Sequence, residues 1–235
     1  MTKLILFIIV CLCFSACSFN SDYTIENGNV YFRKPNFKDF QYKKYSRKIE
    51  NADAKTFKIL KDGYYAKDNK TVFYEEKSIN EADPNTFEVL SDIIGKDKNS
   101  GFFEEKKIPN SDGQTFQKIE SLYSKDKNNV YYSDKKIVGA DAKSFEIVDK
   151  KTYTTKDKNS FYRYENRLPI KDYATFTQIK GNFWKDKYNV YYFYNMLDDN
   201  FVMKGVDPKT AKAVGVWGVK DKYGCHNGYE RVKCE

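Results

Sequence analysis

Lys125-Asp126-Lys127-Asn128-Asn129-Val130-Tyr131-Tyr132 is the stretch that decides how the chain folds. Asp and Asn bond to their own backbone in tight reversals, and Asn tolerates the left-handed region. Val and Tyr suit a pleated, half-buried surface. The stretch therefore reads as a turn followed by the second strand of a β-hairpin. Its Lys-Asp opening returns along the chain, with the acid at Asp68, Asp97, Asp126, Asp157, Asp186 and Asp221. Strand-like residues follow each turn: Val72-Phe73-Tyr74, Gly101-Phe102-Phe103, Phe161-Tyr162 and Val190-Tyr191-Tyr192.

A second anchor recurs without slippage. An apolar residue, an Asp four later and a Phe four after that appear as Ile49, Asp53, Phe57 and again as Ile79, Asp83, Phe87. Ile108, Asp112, Phe116, then Ile137, Asp141, Phe145, then Leu168, Asp172, Phe176 continue the series. Met203, Asp207 and Ala211 end it with the aromatic lost. Asp is a strong N-cap, and proline after it (Pro84, Pro208) suits a first helical position. This block therefore predicts one short helical or 3₁₀ turn per repeat. The period is about thirty residues, too short for a unit to bury its own core, so neighbouring units must share one. The fold expected is all-β: about six hairpin repeats, each with its short helical turn, stacked as a solenoid-like array. A closed, propeller-like ring is the alternative. The repeating Phe, Tyr and Ile read as core ladders.

The N-terminus reads as a targeting segment. Lys3 precedes an apolar run, Leu4 to Phe14, that is too short to span a bilayer comfortably. It ends in Phe14-Ser15-Ala16-Cys17, which resembles a bacterial lipobox with Phe in place of the usual first Leu. That resemblance implies cleavage before Cys17 and acylation of Cys17; an ordinary secretory signal is the alternative. Ser18 follows, with no Asp, which by the same resemblance points to the outer membrane if the host is Gram-negative. The expected organisation is a signal peptide over 1–16, a tether over 17–26 and a repeat domain over 27–235.

Without the signal, 40 basic residues face 33 acidic ones, a net charge of +7. Lysines and acids alternate through the repeats, so the charge reads as a mixed, solvated surface. Export argues against nucleic acid as a partner. The membrane, through the anchor, and a protein or an envelope glycan remain as partners. Cys11 and Cys13 leave with the signal, and Cys225 and Cys234 remain as an even pair in an oxidising compartment. Asn227-Gly228 lies between them as a hairpin turn, so a disulfide is expected there.

The recurring Lys-Asp-Lys-Asn-x-Val-Tyr-Tyr, with the Ala-Asp-x-x-Thr/Ser-Phe block, resembles the DKNYY family of bacterial exported proteins over roughly Tyr45 to Tyr223. The resemblance implies repeats and export. It implies no reaction.

Catalytic chemistry finds little support. His226 is the one histidine, beside Cys225, and it reads as a turn residue. Asp126-Lys127-Asn128 has the oxygen spacing of a calcium loop, but flanking lysines oppose a cation and no acid closes the site. Asp198 and Asp199 are the one carboxylate pair outside the repeat pattern. No cofactor is expected. Two insertions break the period, at 33–44 and 193–202, and insertions in repeat proteins often map to a binding face. The function expected is a non-catalytic, lipid-anchored binding or scaffold protein of the cell envelope. An envelope hydrolase with its site in the insertions, or an immunity or inhibitor protein, are the alternatives.

Overall fold

A computed structural model describes residues 22–38, 41–61, 63–193, 201–215 and 217–234. Among these the fold is all-β: seven small antiparallel sheets of three or four strands, none closed into a barrel. In every sheet, neighbours in space are neighbours in sequence. Cysteine 17 and the rest of the expected signal lie outside the described residues, as do Asp198 and Asp199.

The chain divides into two compact units, Met1–Gly95 and Lys96–Glu235. In the first, the opening sheet joins Tyr23–Glu26, Asn29–Lys38 and Gln41–Lys48. The next joins Lys58–Ile59, Tyr65–Lys67, Val72–Tyr74 and Lys77–Ile79. In the second unit the same four-stranded plan recurs. Gln117–Glu120, Tyr123–Lys125, Val130–Tyr132 and Lys135–Lys136 form one sheet. Glu146–Asp149, Thr154–Lys156, Phe161–Arg163 and Asn166–Arg167 form the next. Each repeat is thus a meander around the expected hairpin, whose two strands are the inner pair.

Burial follows this plan. The inner strands are covered on both faces: Tyr123, Ser124, Val130 and Tyr131 are all buried. The short outer strands Lys106–Lys107, Lys135–Lys136 and Asn166–Arg167 are exposed. Charged edges of two residues leave little template for another chain to pair with. The apolar anchors Ile49, Ile79, Ile108, Ile137, Leu168 and Met203 are buried, as are Phe87, Phe116, Phe145 and Phe176. Each Phe bridges two repeats: Phe145 lies 5.9 Å from Tyr123 of the preceding sheet and 6.0 Å from Tyr162 of its own. Burying such a ring contributes roughly 2–3 kcal/mol.

The helical turn expected in each repeat does not recur. Among the described residues only Tyr173–Thr175 is a 3₁₀ turn, capped by Asp172. In other blocks the chain makes a single reversal, closed by bonds such as Thr56 N–H to the Asp53 carbonyl at 3.1 Å or Thr115 N–H to the Asp112 carbonyl at 3.2 Å. The Asp keeps the capping geometry, with Lys55 N–H donating to Asp53 Oδ1 at 3.0 Å. The Phe four residues on must drop into the core, and the chain is extended from there, so no second turn follows.

Candidate functional site

The two sequence anchors meet. In five repeats the Lys-Asp turn folds onto the capping Asp that precedes it by 14 to 16 residues. Asp126 shows the arrangement fully. Its Oδ1 accepts N–H bonds from Asn128 at 2.8 Å and Asn129 at 2.7 Å. Its Oδ2 accepts the N–H of Asp112 at 3.0 Å and the hydroxyl of Tyr131 at 2.7 Å. Asp157 repeats this with Asn159, Ser160, Asp141 and Tyr162. Asp186 repeats it with Tyr188, Asn189, Asp172 and Tyr191. Asp68 and Asp221 make the three backbone bonds without a tyrosine.

A hydroxyl and a lysine complete the clasps at Asp126, Asp157, Asp186 and Asp221. Thr115 Oγ1 donates to Asp112 Oδ2 at 3.0 Å and accepts the N–H of Lys127 at 3.1 Å. Lys127 Nζ then lies 2.9 Å from Asp112 Oδ2. Lys158–Asp141, Lys187–Asp172 and Lys222–Asp207 are equivalent pairs at 3.0, 2.6 and 3.0 Å. The lysine before the turn reaches onward instead. Lys125 Nζ donates to the Ala142 carbonyl at 3.0 Å, and Lys185 Nζ to that of Pro208 at 3.0 Å. One clasp thus closes a repeat and tethers the next.

The electrostatics match this geometry. Burial opposes charge on Asp126, but the bonds from Tyr131, Asn128, Asp112 and Asn129 hold its pKa below the usual carboxylate value. Asp157, Asp186 and Asp221 are lowered the same way, against burial. At the surface, the Ser144 hydroxyl and then Lys158 hold Asp141 down at about 2. Burial pushes Tyr162 up to about 12, with Asp157 adding to it. These carboxylates are ionised at neutral pH, with their oxygens already facing N–H and O–H donors. Both carboxylate oxygens of Asp126, the acid of the calcium-like spacing, are therefore engaged by the fold itself.

Cys225 and Cys234 form a disulfide with a Cα–Cα distance of 5.2 Å, across the hairpin of Gly224–Asn227 and Glu230–Val232. His226 is buried and stands five residues after Asp221, where Tyr131 stands after Asp126. It is a strand residue, where the sequence suggested a turn. The Cys225 sulfur beside it is bonded and offers no thiolate.

The departures from the repeat are of three kinds. The insertion at 33–44 extends two strands into a long ribbon, Asn29–Lys38 with Gln41–Lys48, whereas other strands have two to four residues. The later insertion begins at Phe193, buried and 4.9 Å from Phe201; residues 194–200 lie outside the described residues. Arg163, itself buried, donates to the carbonyls of Thr152 and Phe193 and so fixes where that insertion starts. Third, the turn position that is Lys70, Asn99, Asn128 or Asn159 in earlier copies becomes Tyr188 and Tyr223. Both rings are exposed, 50% and 57%. Lys171 and Lys187 stand over Tyr188 at 4.4 and 4.9 Å, and Lys222 over Tyr223 at 4.8 Å. Beside Tyr188 a shallow depression is lined by Lys185, Lys187, Pro208 and Lys209.

A family model described as the DKNYY family matches residues 23–167. The chain belongs to the DKNYY family. The DKNYY match ends at 167, yet the clasps at Asp186 and Asp221 repeat the same bonds beyond it. Neither the search of curated proteins nor that of solved structures gave a match. Sequence reading treated the two Asp series as separate devices and missed their pairing. The signal for it was present: the near-constant spacing between Asp112 and Asp126 and their counterparts.

Proposed function

We propose that this DKNYY protein is a non-catalytic binding or scaffold module of the bacterial cell envelope, held to a membrane through acylated Cys17. One observation carries the reading: the recurring polar residues of the motif are engaged in holding the fold. Asp126, Asp157 and Asp186 each accept four hydrogen bonds, and their Thr, Ser and Lys neighbours complete the same clasps. Residues so occupied are not poised to attack a substrate or move its proton. The lipobox-like Phe14-Ser15-Ala16-Cys17 supports the anchor.

The partner-contacting surface in this reading includes Tyr188 and Tyr223. Their turns use only the backbone N–H of that position, as Asn128 does, so the fold does not call for the rings. Exposed aromatics flanked by lysines suit stacking on a sugar ring or a protein contact with an acidic rim.

Two measurements test this. A labelled fatty acid fed to the producing cells should tag the wild type and not Cys17→Ser; an untagged wild type rejects the anchor. The double change Tyr188→Asn and Tyr223→Asn restores the residue of other turns, so stability should move by less than about 0.5 kcal/mol. Capture of envelope components should fall at least several-fold. An identical captured set would remove this edge from the binding surface.

A further inference from the structure

The charge of this protein is not spread evenly. Between residues 33 and 48, Arg33, Lys34, Lys38, Lys43, Lys44, Arg47 and Lys48 face one acid, Asp39. That is +6 of the +7 carried from Cys17 onward; elsewhere 33 basic residues meet 32 acidic ones. The repeats are electrically near neutral, and one element holds almost all the excess.

The structure makes that element a single object. Asn29–Lys38 and Gln41–Lys48 pair antiparallel through eight residues without a bulge, from Tyr31 opposite Lys48 to Lys38 opposite Gln41. Aromatic residues are interleaved with the bases: Phe37 stands opposite Tyr42, and Tyr45 opposite Lys34. At its root, Arg33 pairs with Glu26, Arg47 with Glu76 at 3.1 Å and Lys48 with Glu50 at 3.8 Å. The bases at 34, 38, 43 and 44 lie on the extension itself. Nothing in the repeat calls for this extension, since the other inner strands have three or four residues.

We infer that the ribbon is a membrane-surface element that lies against anionic lipid headgroups beside the anchor. Its place in the chain selects lipid over other polyanions. Six residues from Cys17 to Tyr23 reach at most about 20 Å, so an acylated Cys17 keeps the opening sheet at the bilayer surface. A basic segment held within a Debye length of an anionic leaflet is attracted to it, roughly fivefold in affinity per Lys or Arg. Phe and Tyr are side chains that favour the headgroup region. An acyl anchor combined with a basic patch holds better than either and also sets which face meets the bilayer. The assignment rests on the proposed acylation of Cys17 for its choice of lipid, but its test does not use the acyl chain.

The mature chain bearing Cys17→Ser is sedimented with vesicles of phosphatidylcholine, alone or mixed with phosphatidylglycerol. It should bind the mixed vesicles only, and lose them in high salt. Changing Lys34, Lys38, Lys43 and Lys44 to Gln should weaken binding on the order of several hundredfold. Changing the exposed lysines Lys118, Lys136, Lys143 and Lys204 to Gln removes the same charge elsewhere and should weaken it less than tenfold. Equal loss in both variants, equal binding to both vesicle types, or no binding at all overturns the inference. Retention of soluble dextran sulfate without the vesicles would also overturn it, in favour of a glycan. Fatty-acid labelling of the wild type reports on Cys17 alone, so the two readings fail separately.

Discussion

At the scale of single residues, the buried Asp of each turn is the determining group. A carboxylate needs several donors before its burial ceases to be costly. Asp126 meets that need with two turn N–H groups, a third from Asp112 and the Tyr131 hydroxyl. Phe73 and Phe102 stand where that tyrosine stands in other copies, so the hydroxyl is an addition to the clasp and not its foundation. The pH response follows from the direction of the shifts. Asp126, Asp157, Asp186 and Asp221 have folded pKa values below their unfolded ones, so the unfolded chain binds protons first. Their stabilisation is complete above the unfolded carboxylate pKa of about 4 and is lost as pH falls through the folded values. Thermal unfolding midpoints should be level from about pH 7 to 5 and drop steeply below about pH 4. A midpoint unchanged down to about pH 3 would show that these carboxylates do not hold the fold.

At the scale of elements, most of the strands were legible and the turns less so. The inner strands Tyr123–Lys125 and Val130–Tyr132 follow from β-branched and aromatic residues on either side of an Asp-Asn reversal. The short outer strands carry lysines and no apolar pattern, so nothing local announces them. The turn after Val130–Tyr132 takes a backbone that composition does not announce: Ser133, like Glu75, Glu104 and Tyr164, adopts positive φ without being Gly or Asn. The cross-strand ladder imposes it, through bonds such as Ser133 N–H to the Leu122 carbonyl at 2.9 Å. The helical turn was over-read because Asp and Pro describe how such a turn begins and say nothing of its length. The block packs closely against the preceding Lys-Asp turn at Gly113. A Cβ there would lie 2.2 Å from the Asp97 carbonyl oxygen and 2.4 Å from the Ser100 nitrogen. Both are backbone atoms, so Gly113→Ala must displace one element and should cost about 1–3 kcal/mol in a urea titration. Ala54 and Ala142 occupy the same place in other repeats, so a neutral result would mean that the spacing between repeats adjusts freely.

At the scale of the whole molecule, family and architecture were readable and partner chemistry was not. Repeats announce themselves by period, and the DKNYY match confirms the family over residues 23–167. A partner leaves no period. In the proposed reading its traces are the places where the repeat is broken: the basic ribbon of residues 29–48, Tyr188 and Tyr223, and the insertion that begins at Phe193. The overall net charge hid the first of these, because an average over the chain does not show that one hairpin carries the excess. The Cys225–Cys234 bond closes the last hairpin, and for so short a loop it contributes about 2–3 kcal/mol.

The central claim is that the repeated motif is a structural clasp and that binding resides in what departs from it. Urea unfolding of Asp126→Ala, set beside its capture of envelope components below the unfolding transition, tests that most directly. Removing the carboxylate leaves three N–H groups and one hydroxyl without their acceptor, so stability should fall by about 3 kcal/mol while capture by the folded protein is retained. Unchanged stability with capture abolished would contradict the account and make the Lys-Asp turn itself the binding site.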